Sequence, residues 1–173
     1  MLEYACQRLY RDARILTIYE GTTQLQTVAA GRYITNGFYG QIIDGFLAQG
    51  EAGYALANAV AFNGNGNVNG DWCSADLLPQ KERIAKMAEK YNAAVAYVNE
   101  QKNDELKDLC IRHLYEMAGD IIMALLLLGD ASKDADLFAK SAKVYTRYAA
   151  AEVEKHYDFV MSCTEADLDD YRK

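Results

Sequence analysis

The stretch NDELKDLCIRHLYEMAGDIIMALLLLG occupies residues 103–129 and carries the clearest structural pattern in the chain. Its apolar residues recur at intervals of three and four, which is the spacing of one face of an α-helix. Asn103 is a favourable N-cap, and Asp104 and Glu105 follow it where the helix dipole favours anions. Gly129 is expected to end this helix. The apolar positions of the predicted buried face are Leu106, Leu109, Cys110, Leu114, Met117, Ile121 and Leu125.

A similar periodicity continues on both sides of this segment. One helix is predicted over residues 79–101, with Pro79 in its first turn, and another from Ser132 or Asp134 to about Val160. Three long helices joined by short connections pack most naturally as an antiparallel helical bundle. The chain has no alternating run long enough for a strand. The predicted fold class is therefore all-α.

The first 78 residues are less regular. Helices are predicted over residues 2–14 and 24–35, and one or two more over residues 36–62, where glycines interrupt an apolar stretch. Residues 63–70 are an Asn/Gly tract and are predicted to form a loop. A phosphate-binding function for this tract is disfavoured, because it has neither the Lys-Ser/Thr ending of a P-loop nor a preceding strand.

Charge and cysteine usage exclude several classes of protein. The formal net charge is −7, and no Lys/Arg stripe is evident, so no nucleic-acid partner is predicted. The four cysteines are widely spaced and include no CxxC pair, which favours free thiols in a reducing compartment. The longest apolar run, residues 121–128, is too short to span a bilayer, and no signal peptide pattern is present. We therefore predict a soluble, cytoplasmic protein that does not associate with membranes.

The segment YRDARILTIYEGTTQLQ, residues 10–26, carries the candidate chemistry. Glu20 stands between the apolar pair Ile18-Tyr19 and Gly21. Abstraction of a proton next to a thioester carbonyl needs a base that is held rigidly and shielded from water. A desolvated carboxylate meets this need, because burial disfavours its charged form and raises its pKa. A lone glutamate before a glycine is ordinarily a solvated surface residue, so the interpretation depends on the whole segment.

This segment resembles the C-terminal signature of acyl-CoA dehydrogenases, in which Arg-Asp-Ala is followed by Ile-Tyr-Glu-Gly-Thr and then by a Gln-x-Gln motif. The resemblance implies that Glu20 is the catalytic base, which takes the α-proton of an acyl-CoA while the β-hydrogen leaves as hydride to FAD. It also implies that Gly21, Thr22 and Gln24 contact the FAD cofactor. A homo-oligomer and an electron-transfer flavoprotein as electron acceptor are further implications. Some subfamilies of this family place their base on a different helix.

Residues 79 to about 163 resemble the additional helical domain of a longer subgroup of this family, as in the stretch FAKSAKVY at residues 138–145. Three regions are predicted. Residues 1–36 are the end of the catalytic helical domain, residues 37–78 are a glycine-rich connection with one or two helices, and residues 79–173 are an accessory helical bundle.

The family's flavin site also needs an upstream helical domain and a β-domain. We therefore expect the chain to be a C-terminal fragment of a FAD-dependent acyl-CoA dehydrogenase that is inactive by itself. The alternative is a non-catalytic helical interaction or dimerisation module. Purification of the chain and inspection for bound flavin discriminates between the two.

The histidines are the remaining candidates for chemistry. His113 lies one helical turn from Cys110, a spacing at which both could ligate a metal ion. Two further ligands are not evident in the sequence, so no metal site is predicted. His113 and His156 are instead predicted to be core or boundary residues of the bundle.

Overall fold

A computed structural model of the protein describes residues 12–13, 23–50 and 72–171. Residues 23–50 and 72–171 form six α-helices and one 3₁₀ turn, and the described part of the chain contains no strand. The predicted all-α fold class is therefore confirmed. The helices are α1 (Thr23–Thr35), α2 (Phe38–Gln49), α3 (Leu78–Glu100), α4 (Asp104–Lys133), α5 (Ala135–Ser162) and α6 (Glu165–Tyr171), and the 3₁₀ turn is Ala75–Leu77.

Helix α4 lies at the centre of the bundle and packs against α5, α3, α1 and α2. Its core face is the one that the apolar periodicity predicts, and four of its largest side chains are completely buried. Burial of a side chain of this size contributes roughly 1.5–3 kcal/mol relative to leaving it exposed. The four residues are Leu114, Met117, Ile121 and Leu125.

Helices α3 and α5 flank α4 and run parallel to each other. The Lys90 ammonium donates a hydrogen bond to the Glu154 carboxylate, and the Tyr97 hydroxyl donates one to the Cys163 carbonyl over 2.9 Å. The residues of the first pair are 64 positions apart in sequence and those of the second pair 66. Because this separation changes little over two turns, the two helices run in the same direction. Since short connections join α3 to α4 and α4 to α5, α4 runs in the opposite direction. The predicted antiparallel bundle is confirmed.

Asparagine and aspartate side chains cap the two longest helices, as their sequences predict. Asn103 Oδ1 accepts hydrogen bonds from the backbone N–H groups of Glu105 at 3.0 Å and Leu106 at 3.4 Å. Asp134 Oδ1 accepts one from the Leu137 N–H at 3.1 Å. A cap of this kind stabilises a helix by typically ~1 kcal/mol, because it satisfies N–H groups that have no partner within the helix.

The predicted end of α4 at Gly129 is wrong, because the helix continues to Lys133. Leu128 and Ala131 are buried on the core face on either side of Gly129. Their burial outweighs the cost of a glycine inside a helix, which is about 1 kcal/mol relative to alanine.

Helices α1 and α2 form a hairpin that shares the core of the bundle. Gly37 adopts a left-handed conformation with φ of 81° at the turn between them, which glycine does without a steric penalty. The Asn36 side chain supports the turn by accepting the Phe38 N–H at 3.0 Å. Ile34 and Phe46 are fully buried in the same hydrophobic cluster as α4.

The helices predicted over residues 24–35 and 79–101, and the one predicted to begin at Ser132 or Asp134, correspond to α1, α3 and α5. Within residues 36–50, the described part of the glycine-interrupted stretch, one helix forms, which is α2. The predicted loop over residues 63–70, and the predicted helix over residues 2–14 apart from 12–13, lie outside the described residues. The division into three regions at residues 36 and 78 stays a prediction. No helix in the described ranges combines the length and apolarity needed to cross a bilayer.

Candidate functional site

The segment predicted to carry the catalytic base precedes α1. Glu20, Gly21 and Thr22 lie outside the described residues, so their roles stay predictions. Gln24 belongs to the first turn of α1. Of the residues predicted to contact FAD, Gln24 is therefore the one that lies in a described part of the chain.

His113 of α4 and His156 of α5 form a pair of titratable side chains at the interface between these two helices. Their Nδ1 atoms face each other at 2.8 Å, and the His113 ring stacks on Phe159 with ring centroids 3.9 Å apart. At this distance one Nδ1 is protonated and donates a hydrogen bond to the other Nδ1, which accepts it. The pair therefore joins α4 to α5 when both imidazoles are neutral.

Burial and nearby cations disfavour protonation of this pair. Partial burial is the largest cause that lowers the pKa of His113 to about 4, followed by His156 and by the cationic Arg112 and Lys155. Burial and then Lys155 also lower the pKa of His156, against the opposing effect of Glu116 and other carboxylates. A doubly protonated pair would place two positive charges in contact, which the fold opposes.

A second polar pair lies further along the same interface. The Tyr145 hydroxyl of α5 donates a hydrogen bond to Asp120 Oδ1 of α4 over 3.0 Å. Partial burial raises the pKa of Asp120, and this hydrogen bond opposes that shift. Burial and the adjacent carboxylate raise the pKa of Tyr145. These groups satisfy each other, which is the usual condition for polar atoms between packed helices.

The predicted His-Cys neighbours on α4 face different partners. Cys110 is fully buried and interacts with Cys163 at the end of α5, whereas His113 faces His156. Burial, followed by the Cys163 thiol, raises the pKa of Cys110 to about 12, so this thiol is a poor nucleophile. Among the described residues, no group of three or more His, Cys, Asp or Glu side chains is arranged to hold a metal ion.

The comparisons with known proteins identify the class of helical domain. The family model "Acyl-CoA dehydrogenase C terminal" matches residues 67–168. A search of curated proteins finds no match.

The solved structures include a close relative. The chain resembles the crystal structure of the acyl-CoA dehydrogenase family protein from Porphyromonas gingivalis, with 33% sequence identity and a TM-score of 0.61. The alignment covers 79% of this chain and 98% of that chain. The chain therefore belongs to the acyl-CoA dehydrogenase C-terminal family, as the sequence resemblance predicts.

The histidine pair generates a prediction for the pH dependence of stability. The folded protein lowers the pKa of His113 from 6.5 to about 4, so below about pH 6.5 the unfolded chain binds more protons than the folded chain. The contribution of this shift to the free energy of unfolding is therefore fully present above pH 6.5 and is lost as the pH falls toward 4. Because both rings are partly exposed, we expect a loss on the order of 2 kcal/mol between pH 7 and pH 4.5.

Urea unfolding at the two pH values measures this loss, with the double variant His113→Gln/His156→Gln as the matched control. The control removes the two titrating rings and leaves the carboxylates unchanged, so its loss over the same pH interval should be smaller by that amount. Equal losses in the two proteins would show that the histidine pair does not govern the pH dependence.

Proposed function

We propose that this chain supplies the C-terminal helices of a FAD-dependent acyl-CoA dehydrogenase, in which Glu20 removes the α-proton of an acyl-CoA thioester. The family match over residues 67–168 is the observation that supports this proposal most directly. That match does not include residues 10–26, in which the catalytic segment lies. Two separate parts of one sequence therefore point to the same family.

Glu20 would act as a desolvated carboxylate. Its apolar neighbours Ile18 and Tyr19 favour the uncharged acid, which makes the carboxylate a stronger base and lowers the cost of accepting a proton. Gly21 adds no side chain on the other side, so a thioester could approach closely. When bound, FAD supplies the acceptor for the hydride that leaves the β-carbon.

The start of α1 has features that favour binding of the FAD phosphates. Gln24 lies in the first turn, and that turn contains no acidic side chain. A helix N-terminus carries a partial positive charge that favours a phosphate group, and Gly21 and Thr22 immediately precede it in sequence. These features fit contact of Gly21, Thr22 and Gln24 with the pyrophosphate of FAD. Tight binding by these 173 residues alone is not expected, because the family's site draws on other domains.

The α3–α5 bundle would then be an accessory module. The two members of each polar pair between α4 and α5 hydrogen-bond to each other, so these pairs contribute to helix packing. An electron-transfer flavoprotein as acceptor is part of the same proposal, because the family implies it. A cytoplasmic location is proposed from the widely spaced cysteines, which favour free thiols in a reducing compartment.

The role of Glu20 predicts a specific kinetic result in the flavin-containing enzyme that includes this chain. Glu20→Gln should lower the rate of flavin reduction by acyl-CoA by about a hundredfold to ten-thousandfold, the usual contribution of a general base. Glu20→Asp keeps the base on a shorter side chain and should retain part of the rate. Stopped-flow absorbance of the flavin measures both.

Asp12→Asn is the matched control, because it also removes one carboxylate from the same segment but lies outside the proposed site. It should leave the rate within about threefold of the wild type, by analogy with surface substitutions. Retention of normal flavin reduction by Glu20→Gln, with FAD still bound, would contradict the assignment of Glu20.

A second candidate function, dimerisation, is favoured by the outer face of α1. Leu25 is 63% exposed and Val28 is 52% exposed, and the two lie one turn apart on the same face. Thr27 and Ile34, on the opposite face, are buried. An exposed apolar stripe of this kind is typical of an interaction surface.

Sedimentation velocity tests this second candidate. We expect the wild-type chain to self-associate and Val28→Glu to shift it to monomer, because the substitution places a charge in the apolar contact. Val144→Glu makes the same change at another exposed valine, which is 69% exposed on α5, and should leave the association unchanged. A wild-type chain that is monomeric at all concentrations would rule out this face as a dimer contact.

A further inference from the structure

The groove between α3 and α5 combines basic side chains with an apolar floor. Arg83, Lys86 and Lys90 of α3 line it, and these positions follow one face of the helix at spacings of three and four residues. The groove has a volume of about 220 Å³. The three cations span seven residues, or roughly 10 Å along the helix axis.

Two further cations of α5 share a helix face with residues of the groove. Lys143 is two turns and Arg147 one turn before Ala150, and Ala150 and Glu154 line the groove. Because i, i+4, i+7 and i+11 share a helix face, all four lie on the side of α5 that faces α3. The offset of 64 residues between Lys90 and Glu154 places Arg147 at the level of Arg83.

The positive charge of this groove is poorly neutralised, although the whole chain carries −7. Glu154 is the one acidic residue in the lining, and its carboxylate is paired with Lys90. Within the described part of the chain, Arg83, Lys86, Lys143 and Arg147 form no ion pair.

The acidic residues nearest to these cations on α3 lie outside the groove. Glu82 and Glu89 are exposed, lie four residues before and three residues after Lys86, and are not among the residues that line the groove. The groove itself therefore presents a local excess of unpaired positive charge. Such an excess attracts anions by its field as well as by contact.

The floor of the groove adds a second requirement for its ligand. Met87, Ala150 and Val153 supply apolar surface between the two rims. A bare inorganic anion would not use this surface, whereas a ligand with an apolar or aromatic body would bury area against it. The arginine guanidinium groups are suited to bidentate contact with phosphate oxygens.

We propose that the α3–α5 groove binds a small organic phosphate, with its phosphate groups on Arg83, Lys86 and Arg147 and its apolar or aromatic body on the floor. The groove is too short for an extended nucleic-acid strand, and its several separate cations suit a ligand with two or more phosphate groups. The residues of this groove are different from those of the segment around Glu20, and binding to them is proposed to require neither bound FAD nor turnover.

Methyl NMR of the intact chain, with coenzyme A as the probe, tests the proposal. Coenzyme A carries a pyrophosphate, a further phosphate and an adenine ring, so it contains every group that the groove would contact. At low ionic strength it should shift the methyl resonances of Met87 and Val153 and leave that of Val144, on another face of α5, unchanged. The apparent Kd should rise several-fold when the salt concentration is raised from 50 to 300 mM, because exposed ion pairs are screened.

Arg83→Gln/Arg147→Gln should weaken coenzyme A binding at least tenfold. Arg32→Gln/Lys102→Gln removes the same charge from exposed positions on α1 and in the connection between α3 and α4 and should change the Kd by less than twofold. The absence of shifts at millimolar coenzyme A would overturn the proposal, and so would equal weakening by the two double variants.

Vesicles of phosphatidylglycerol distinguish a lipid headgroup from a soluble ligand. Binding of the chain to these vesicles without any binding of coenzyme A would overturn the assignment to a small organic phosphate. Because none of these measurements involves flavin or catalysis, their outcome is independent of the kinetic test of Glu20.

Discussion

Burial of α4 is the constraint on which the rest of the described structure depends. This helix packs against the five other helices of the described structure, and residues of all of them join its core face in one hydrophobic cluster. Hydrophobic burial on this scale is the main favourable contribution to folding. Because α4 needs partners on several sides, it fixes the up-down-up order of α3, α4 and α5 and holds the α1–α2 hairpin against the same core.

Packing on two sides gives α5 two different polar environments. The side that faces α4 carries His156 and Tyr145, which are partly buried and hydrogen-bond to residues of α4. The side that faces α3 carries the exposed Lys143 and Arg147 beside the basic groove. Polar groups between α4 and α5 therefore pair with each other, whereas those along the groove remain available to a ligand.

The sequence predicts the helices and the family, but it does not predict which side chains of different helices contact each other. Apolar spacing and the capping residues Asn103 and Asp134 are local properties, so they predict α1, α3, α4 and α5 to within a few residues. Gly129 misleads because tertiary burial overrides its local preference. The His113–His156 pair joins residues 43 positions apart, and its contact depends on a helix register that no local pattern encodes. The position of Gln24 is described, but the geometry of the segment around Glu20 is not, so its chemistry rests on resemblance.

The central claim, that α4 is the organising helix, is tested most directly by native-state hydrogen exchange of backbone amides. The amides of residues 114–128 should be the slowest to exchange in the chain, at a rate set by global unfolding, because they can open only when the surrounding helices separate. The amides of α6, which has few contacts with the core, should exchange much faster through local opening. Exchange of residues 114–128 at the rate of α6, or slower exchange in another helix, would contradict the account.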